Sequence, residues 1–190
     1  MKLWLNVNSN DISDLKNPIT KEYLELKHHI LDSNFNWFYL PSTTNVEVGE
    51  GECANFIYNH KFLEGPNDDR YIPRHACDLV GNAVKIVEQI LQYNNIKFQF
   101  IYRAVANSVT YTNGLPSPPH LDHDNFYHKN LVVYLNEFDG GNIDIYEDDG
   151  TKYSYKPHED DIITFDFKKH SVNQPTLESG RRVVFVATYL

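Results

Sequence analysis

From about residue 96 onward the chain is a succession of short segments rich in β-branched and aromatic residues: "KFQFIYRAVA", "NLVVYLN", "GNIDIY", "KYSYKP", "DIITFDF" and "RRVVFVATYL". Each has the length of one strand, and Gly, Pro, Asp or Asn punctuate the gaps between them. A run of strands at this spacing constrains the second half to a β-sandwich or jelly roll. Val183 to Ala187 is apolar on both faces, which places the last strand centrally in its sheet. The first half reads differently. Thr20 to Leu31 and Ala76 to Tyr93 carry apolar groups at helical spacing, with Thr20 as a candidate N-cap. "KLWLNV" and "NWFYLP" read as strands, the second ended by Pro41, while Thr43 to Gly51 and Asn67-Asp68-Asp69 read as loop and turn. Helices followed by strands make an α+β protein. At 190 residues a single domain over 1–190 is expected, with a helical support layer and first strands in 1–95 and the β core in 96–190.

The formal net charge of −9 argues against nucleic acid as a partner, because such binding needs basic surface to displace counterions. It leaves room for a peptide or a small substrate. The chain contains 13 Tyr and 11 Phe, a usage suited to half-buried strands. Its two cysteines, Cys53 and Cys77, lack metal-type spacing and are expected to be reduced thiols. The opening "MKLWLNVNSND" is too short and polar for a secretory signal, and nothing later reaches membrane-spanning length. A soluble cytoplasmic protein without membrane partners is expected.

The stretch "PPHLDHDNFYHKN", Pro118 to Asn130, concentrates histidine and carboxylate where two strands should be connected. In His120-Leu121-Asp122 the polar side chains are two apart, so on extended backbone they point to the same side. An imidazole and a carboxylate can then converge on one ion, and a distant histidine would complete a face that suits non-haem Fe(II). His170, following "DIITFDF", is the best-placed partner. His123 and His128 lack a carboxylate at the same offset, because positions 125 and 130 are Asn. His28, His29, His60, His75 and His158 lie on the first helix, upstream of the β half or in a turn. All of these are expected to be exposed or capping residues.

Taken in order, these pieces resemble the Fe(II)- and 2-oxoglutarate-dependent dioxygenases, closest to the prolyl-4-hydroxylase-like branch and related phage and bacterial oxygenases. "HLD" resembles the His-x-Asp motif and "LVVYLN" the strand that often carries Tyr-Leu-Asn. "FDGGNIDIY" resembles the Gly-Gly strand start, and "YKPHEDDIITFDF" a strand pair with Pro before the second. "HSV" stands where the distal His does, and "SGRRVVFVATYL" resembles the Gly-x-Arg strand. The resemblance implies a double-stranded β-helix (jelly-roll) core with N-terminal supporting helices.

It also implies Fe(II) held by His120, Asp122 and His170, and 2-oxoglutarate and O2 as co-substrates, with ascorbate as a further candidate cofactor. Oxidative decarboxylation would give succinate and carbon dioxide, and the substrate would be hydroxylated. Halogenating relatives have a small residue in place of Asp122, so hydroxylation is the implied outcome. Many prolyl hydroxylases hold the far end of 2-oxoglutarate with Lys, whereas here the matching strand offers Arg181 and Arg182. Adjacent strand residues face opposite ways. Both faces of this strand are apolar, so periodicity does not choose between them, and the Gly-x-Arg spacing selects Arg182. Tyr134 and Tyr111 stand where relatives often place tyrosines near the cofactor. The competing readings are a non-catalytic jelly-roll binding module and a cupin-type metal enzyme. Neither needs an Arg and a Tyr on neighbouring strands beside a complete metal set.

Overall fold

The computed structural model of the chain describes residues 12–42, 44, 47–66, 72–124 and 126–190. The strand expected in "KLWLNV" and the turn at Asn67-Asp68-Asp69 lie outside them, and Thr43 to Gly51 lies partly outside. The elements are β1 (Ile12–Leu15), α1 (Lys21–Leu31), β2 (Phe38–Leu40), β3 (Ile57–Glu64), β4 (Arg74–His75), α2 (Val80–Tyr93), β5 (Ile101–Thr110), β6 (Lys129–Tyr134), β7 (Ile143–Tyr146), β8 (Lys152–Tyr155), β9 (Ile162–Phe165), β10 (Lys169–Val172) and β11 (Arg181–Tyr189). Eight strands form one sheet in the order β1-β9-β6-β11-β5-β3-β2, with β4 on β3, and β10-β7-β8 form a second. All pairings are antiparallel. The two helices cover one face of the large sheet and the small sheet covers the other, so the fold is a mostly antiparallel β structure with two helices.

Residue parity on β11 shows how the layers separate. It lies between β5 and β6, as its two apolar faces required. Val183, Phe185, Ala187 and Tyr189 join the helix-side core with Ile30, Ile86, Ile90 and Leu91. Val184 and Val186 join a second core with Val132, Phe165, Ile143 and Ile145, which lies between the sheets. A central strand buried on both faces must be apolar on both.

Thr20 caps α1, accepting from Tyr23 N at 3.2 Å, and its hydroxyl donates to Gln89 of α2 at 2.8 Å. One side chain thus satisfies an orphan helix donor and ties the helices together. Lys27 pins α1 to the loop before β9 through Asp160 and Glu159, each at 2.6 Å. The second helix begins at Val80 rather than Ala76, because Ala76 N continues the pairing with β3 by donating to Phe62 O at 2.9 Å.

Several features differ from expectation, and the short strands β1 and β4 were not foreseen. β3 was not foreseen, because Asn59, His60 and Lys61 interrupt its alternation and its register shifts between Lys61 and Leu63. His170 does not merely follow β9 but sits on a separate short strand, β10, paired with β7. His60 and His128 are buried rather than exposed. His60 packs on Phe35, and its Nδ1 meets Asn36 O at 2.7 Å. Its inward position follows from the unforeseen strand.

Phe185 is 2% exposed and meets Phe62 edge-on with ring centroids 5.8 Å apart. Phe185→Ala should lower unfolding free energy by about 3–5 kcal/mol, read from a chemical denaturation midpoint at unchanged slope.

Candidate metal and anion site

Among the described residues from Tyr111 to Phe126 there is no regular strand, and the order of this segment comes from specific polar contacts. Gln174, 6% exposed, uses both ends of its amide. Its Oε1 accepts from the backbone N–H of Thr112 at 2.6 Å, Asn113 at 3.1 Å and Gly114 at 3.2 Å. Its Nε2 donates to Asn55 Oδ1 at 2.6 Å and Leu115 O at 3.0 Å. Pro118 and Pro119 then hold the backbone extended. The chain runs beside β10, with Ser117 N donating to Val172 O at 3.0 Å.

This course brings His120 opposite His170. Each backbone N–H donates to the other's carbonyl at 2.9 Å, the doubly bonded pair of an antiparallel ladder, so their side chains project from the same face. The rings lie 4.6 Å apart between centroids. His120 Nδ1 meets Pro118 O at 2.9 Å, and His170 Nδ1 meets Lys168 O at 3.4 Å. A carbonyl can only accept, so each Nδ1 carries a proton, and in the neutral ring the lone pair is the one on Nε2. Asp122 joins them two residues on. One ligand atom from each of His120, Asp122 and His170 lies within 4.8 Å of the others, close enough to share one metal ion.

His120 and His170 are buried, and Asp122 keeps 14% of its side chain exposed. Burial pushes His170 down to about 4, against the opposing pull of Asp122. The ring is therefore neutral near pH 7 and can offer a lone pair. Burial would raise the Asp122 carboxyl, but Arg103 first, then His170, His120 and His123, hold it well below the carboxylate range. Arg103 on β5 stands 3.2 Å from Asp122 Oδ1. This contact was not read from the sequence, where a lone Arg in "FIYRAV" carries no signal.

The cluster opens into a cavity between the sheets, lined by Val132, Phe165, Val184 and Val186 and by Arg182. Arg182 is 3% exposed. Its Nε donates to Gly141 O at 3.1 Å, and it has no carboxylate partner among the described residues. Gly141 has φ +62°, and a Cβ there would come within 2.6 Å of Phe138 and 3.0 Å of Arg182 Cδ. Arg181 points to the other side, where its Nη2 donates to Leu31 O at 3.3 Å, at the C-terminal end of α1. The two arginines thus face opposite ways, and only Arg182 reaches the cavity.

Tyr134 is fully buried beside Arg182, whose guanidinium carbon is 5.3 Å from the ring centroid. Burial pushes the phenol up to about 12, with Arg182 opposing, and the hydroxyl lacks a well-oriented hydrogen-bond partner. Tyr111 is not brought to this cavity. β5 ends at Thr110, the chain turns outward at Gly114 with φ +75°, and Tyr111 is 39% exposed.

No protein-family model matches the chain, and no curated protein is similar to it in sequence. Solved structures are similar in fold. A 2OG-Fe(II) oxygenase family oxidoreductase from Burkholderia pseudomallei superposes with TM-score 0.62 at 13% identity, over 88% of this chain and 76% of that one. A prolyl hydroxylase from Trichoplax adhaerens, solved with a hypoxia inducible factor peptide fragment, gives 0.61 at 15% identity, over 96% and 84%. A Pseudomonas putida prolyl-4-hydroxylase gives 0.56 at 17% identity, over 95% and 93%. The fold is that of the 2OG-Fe(II) oxygenases. The likeness spans nearly the whole chain at low identity, so this fold is shared without its sequence.

A divalent ion that binds the folded chain alone should stabilise it. Cobalt(II) should therefore raise the melting temperature of the wild type and not that of His120→Ala, Asp122→Ala or His170→Ala. His158→Ala, at a side chain 57% exposed, should respond like the wild type. An undiminished rise in the His170 variant would remove that residue from the cluster.

Proposed function

We propose that this single domain is an Fe(II)- and 2-oxoglutarate-dependent oxygenase that hydroxylates an unactivated C–H bond of a peptide or small molecule, its two sheets forming a double-stranded β-helix. One observation carries this reading: a cavity with a two-histidine, one-carboxylate cluster also holds a buried guanidinium without a carboxylate partner. A buried cation without a counterion is costly. A ligand that brings a carboxylate to Arg182 while offering oxygen donors to a metal removes that cost, and 2-oxoglutarate has both functions. His120, Asp122 and His170 would hold the iron. Arg182 would bind the far carboxylate through its planar fork, with the Tyr134 hydroxyl as a second donor.

When bound, iron and the 2-oxo acid supply dioxygen activation, the acid leaving as succinate and carbon dioxide as oxygen passes to the substrate. The chain's own residues bind, orient and shield. His120, Asp122 and His170 would supply three ligands to the iron and leave it room for the 2-oxo acid and dioxygen. Val132, Val184, Val186 and Phe165 give the cavity an apolar wall. Gly141 holds Arg182 through its carbonyl and leaves room for it by lacking a Cβ. A non-catalytic binding module or a cupin-type enzyme would have no use for that arginine. Cys53 and Cys77 are both free, which suits the cytoplasm, and no described helix is long and apolar enough to cross a membrane.

The test is turnover of 2-oxoglutarate to succinate by the iron-loaded protein. Arg182→Ala should raise the KM for 2-oxoglutarate by one to several powers of ten, at most the ~3–5 kcal/mol expected on losing one partner of a buried pair. Arg181→Ala should change it far less, and a larger effect there would overturn the assignment. In the same titration Gly141→Ala should raise KM, because its methyl displaces Arg182. An unaltered KM would show that Arg182 needs no such room.

A further inference from the structure

Arg103 stands at a junction. It lines the inner cavity with His120, Asp122 and Arg182. It also lines a second, outer cavity with Lys61, Glu64, Gly65, Val105 and His123. Its side chain is 22% exposed, and Asp122, at 3.2 Å, is its one polar partner among the described residues. A guanidinium has five N–H donors, so most of those of Arg103 are uncommitted where the two cavities meet. The other cation lining the outer cavity already has a carboxylate in contact: Lys61 Nζ is 2.7 Å from Glu64 Oε1, a carboxylate that Arg74 also contacts. Gly65 leaves the space clear, since a Cβ there would come within 3.1 Å of the His123 ring and 3.5 Å of Arg103 Cβ. Val105 and Pro66 supply an apolar wall.

Charge balance, resting on the function proposed above, gives the chemistry. A divalent ion and Asp122 together leave one positive charge. The two carboxylates of 2-oxoglutarate answer that charge and Arg182. Arg103 is then the cation left over, because its carboxylate is shared with the metal. In a chain of net charge −9 this locally positive junction stands out. A partly buried cation without an anion is unfavourable, and a carboxylate on the guanidinium fork relieves it with two charge-assisted hydrogen bonds.

We propose that Arg103 is the substrate's anion anchor, and that the substrate is a carboxylic acid whose apolar portion reaches into the inner cavity. The acid can belong to a small molecule or to the free end of a peptide, and the two share this recognition chemistry.

The experiment uses the full chain loaded with cobalt(II) and saturated with 2-oxoglutarate, so that Arg182 is occupied. Propionate, butyrate and benzoate are titrated in turn, each against its own amide, with the visible absorption of cobalt as readout. At least one acid should bind about tenfold or more tighter than its amide, and Arg103→Gln should abolish that preference. A tripeptide free acid against its C-terminal amide separates the two sources: a preference there assigns a chain end, and its absence a small acid. If Arg103→Gln does not fold, Arg103→Lys serves. It keeps a charge and loses the fork, so the preference should fall and persist. No acid preference in the wild type, or one unchanged by replacing Arg103, overturns the anchor. Titrations of cobalt and of 2-oxoglutarate without a third ligand report on the cofactor site alone. Failure there overturns the oxygenase reading and the anchor with it, whereas failure of the acid preference alone overturns only the anchor.

Discussion

The two hydrogen bonds that His120 and His170 exchange through their backbones are the constraint on which the site depends. They are an isolated bridge, outside any named strand pair. They fix which residue of an otherwise irregular loop lies opposite which residue of β10. A slip of one residue would turn one imidazole to the far face and carry Asp122 away with it. The bonds from each Nδ1 to the carbonyl two residues back then fix ring orientation and proton position. Backbone geometry thus brings two imidazoles and one carboxylate to the same space.

An irregular segment can hold so definite a geometry only if its polar groups are satisfied. Gln174 does this for residues 112–115, bonding both amide ends to backbone and side chains. It lies four residues beyond His170, so the strand that carries one histidine leads directly into the clamp on the loop that carries the other. The cation at the far end of the cavity is held differently. Arg182 is placed by the central strand of the large sheet, and strand parity rather than loop chemistry aims it. Its neighbour Arg181 shows the consequence, since one step along the strand it serves the end of a helix instead.

The parts of the fold that were legible have a local period. α1, α2 and the strands from β5 to β9 announce themselves through apolar spacing, and β11 shows its centrality by being apolar on both faces. The convergence of His120 and Asp122 follows from an offset of two. What escaped depends on contacts distant in sequence. β3 is polar in its middle and is held in the sheet by β5. β10 is four residues containing lysine and histidine, and becomes a strand only by pairing with β7. His60 looked like a surface histidine until that strand turned it toward Phe35 and Cys77. Tyr111 has the composition of a cavity residue, but its strand stops one residue too soon.

Arg103 and Arg182 show why composition is a poor guide to local electrostatics. The chain is acidic, yet both cations at the inner cavity come from neighbouring strands of its most apolar sheet, β5 and β11, which pair along their length. A surface lysine would be screened by solvent and by the excess of carboxylates. A guanidinium among valines is not, so each acts on its surroundings at close range: Arg103 holds down the Asp122 carboxyl, and Arg182 moderates the rise of the Tyr134 phenol. A carboxylate kept ionised, with the His170 ring neutral beside it, suits a divalent cation, which needs deprotonated ligands. In a chain that is acidic as a whole, the inner cavity thus carries one guanidinium beside Asp122 and another beside Tyr134.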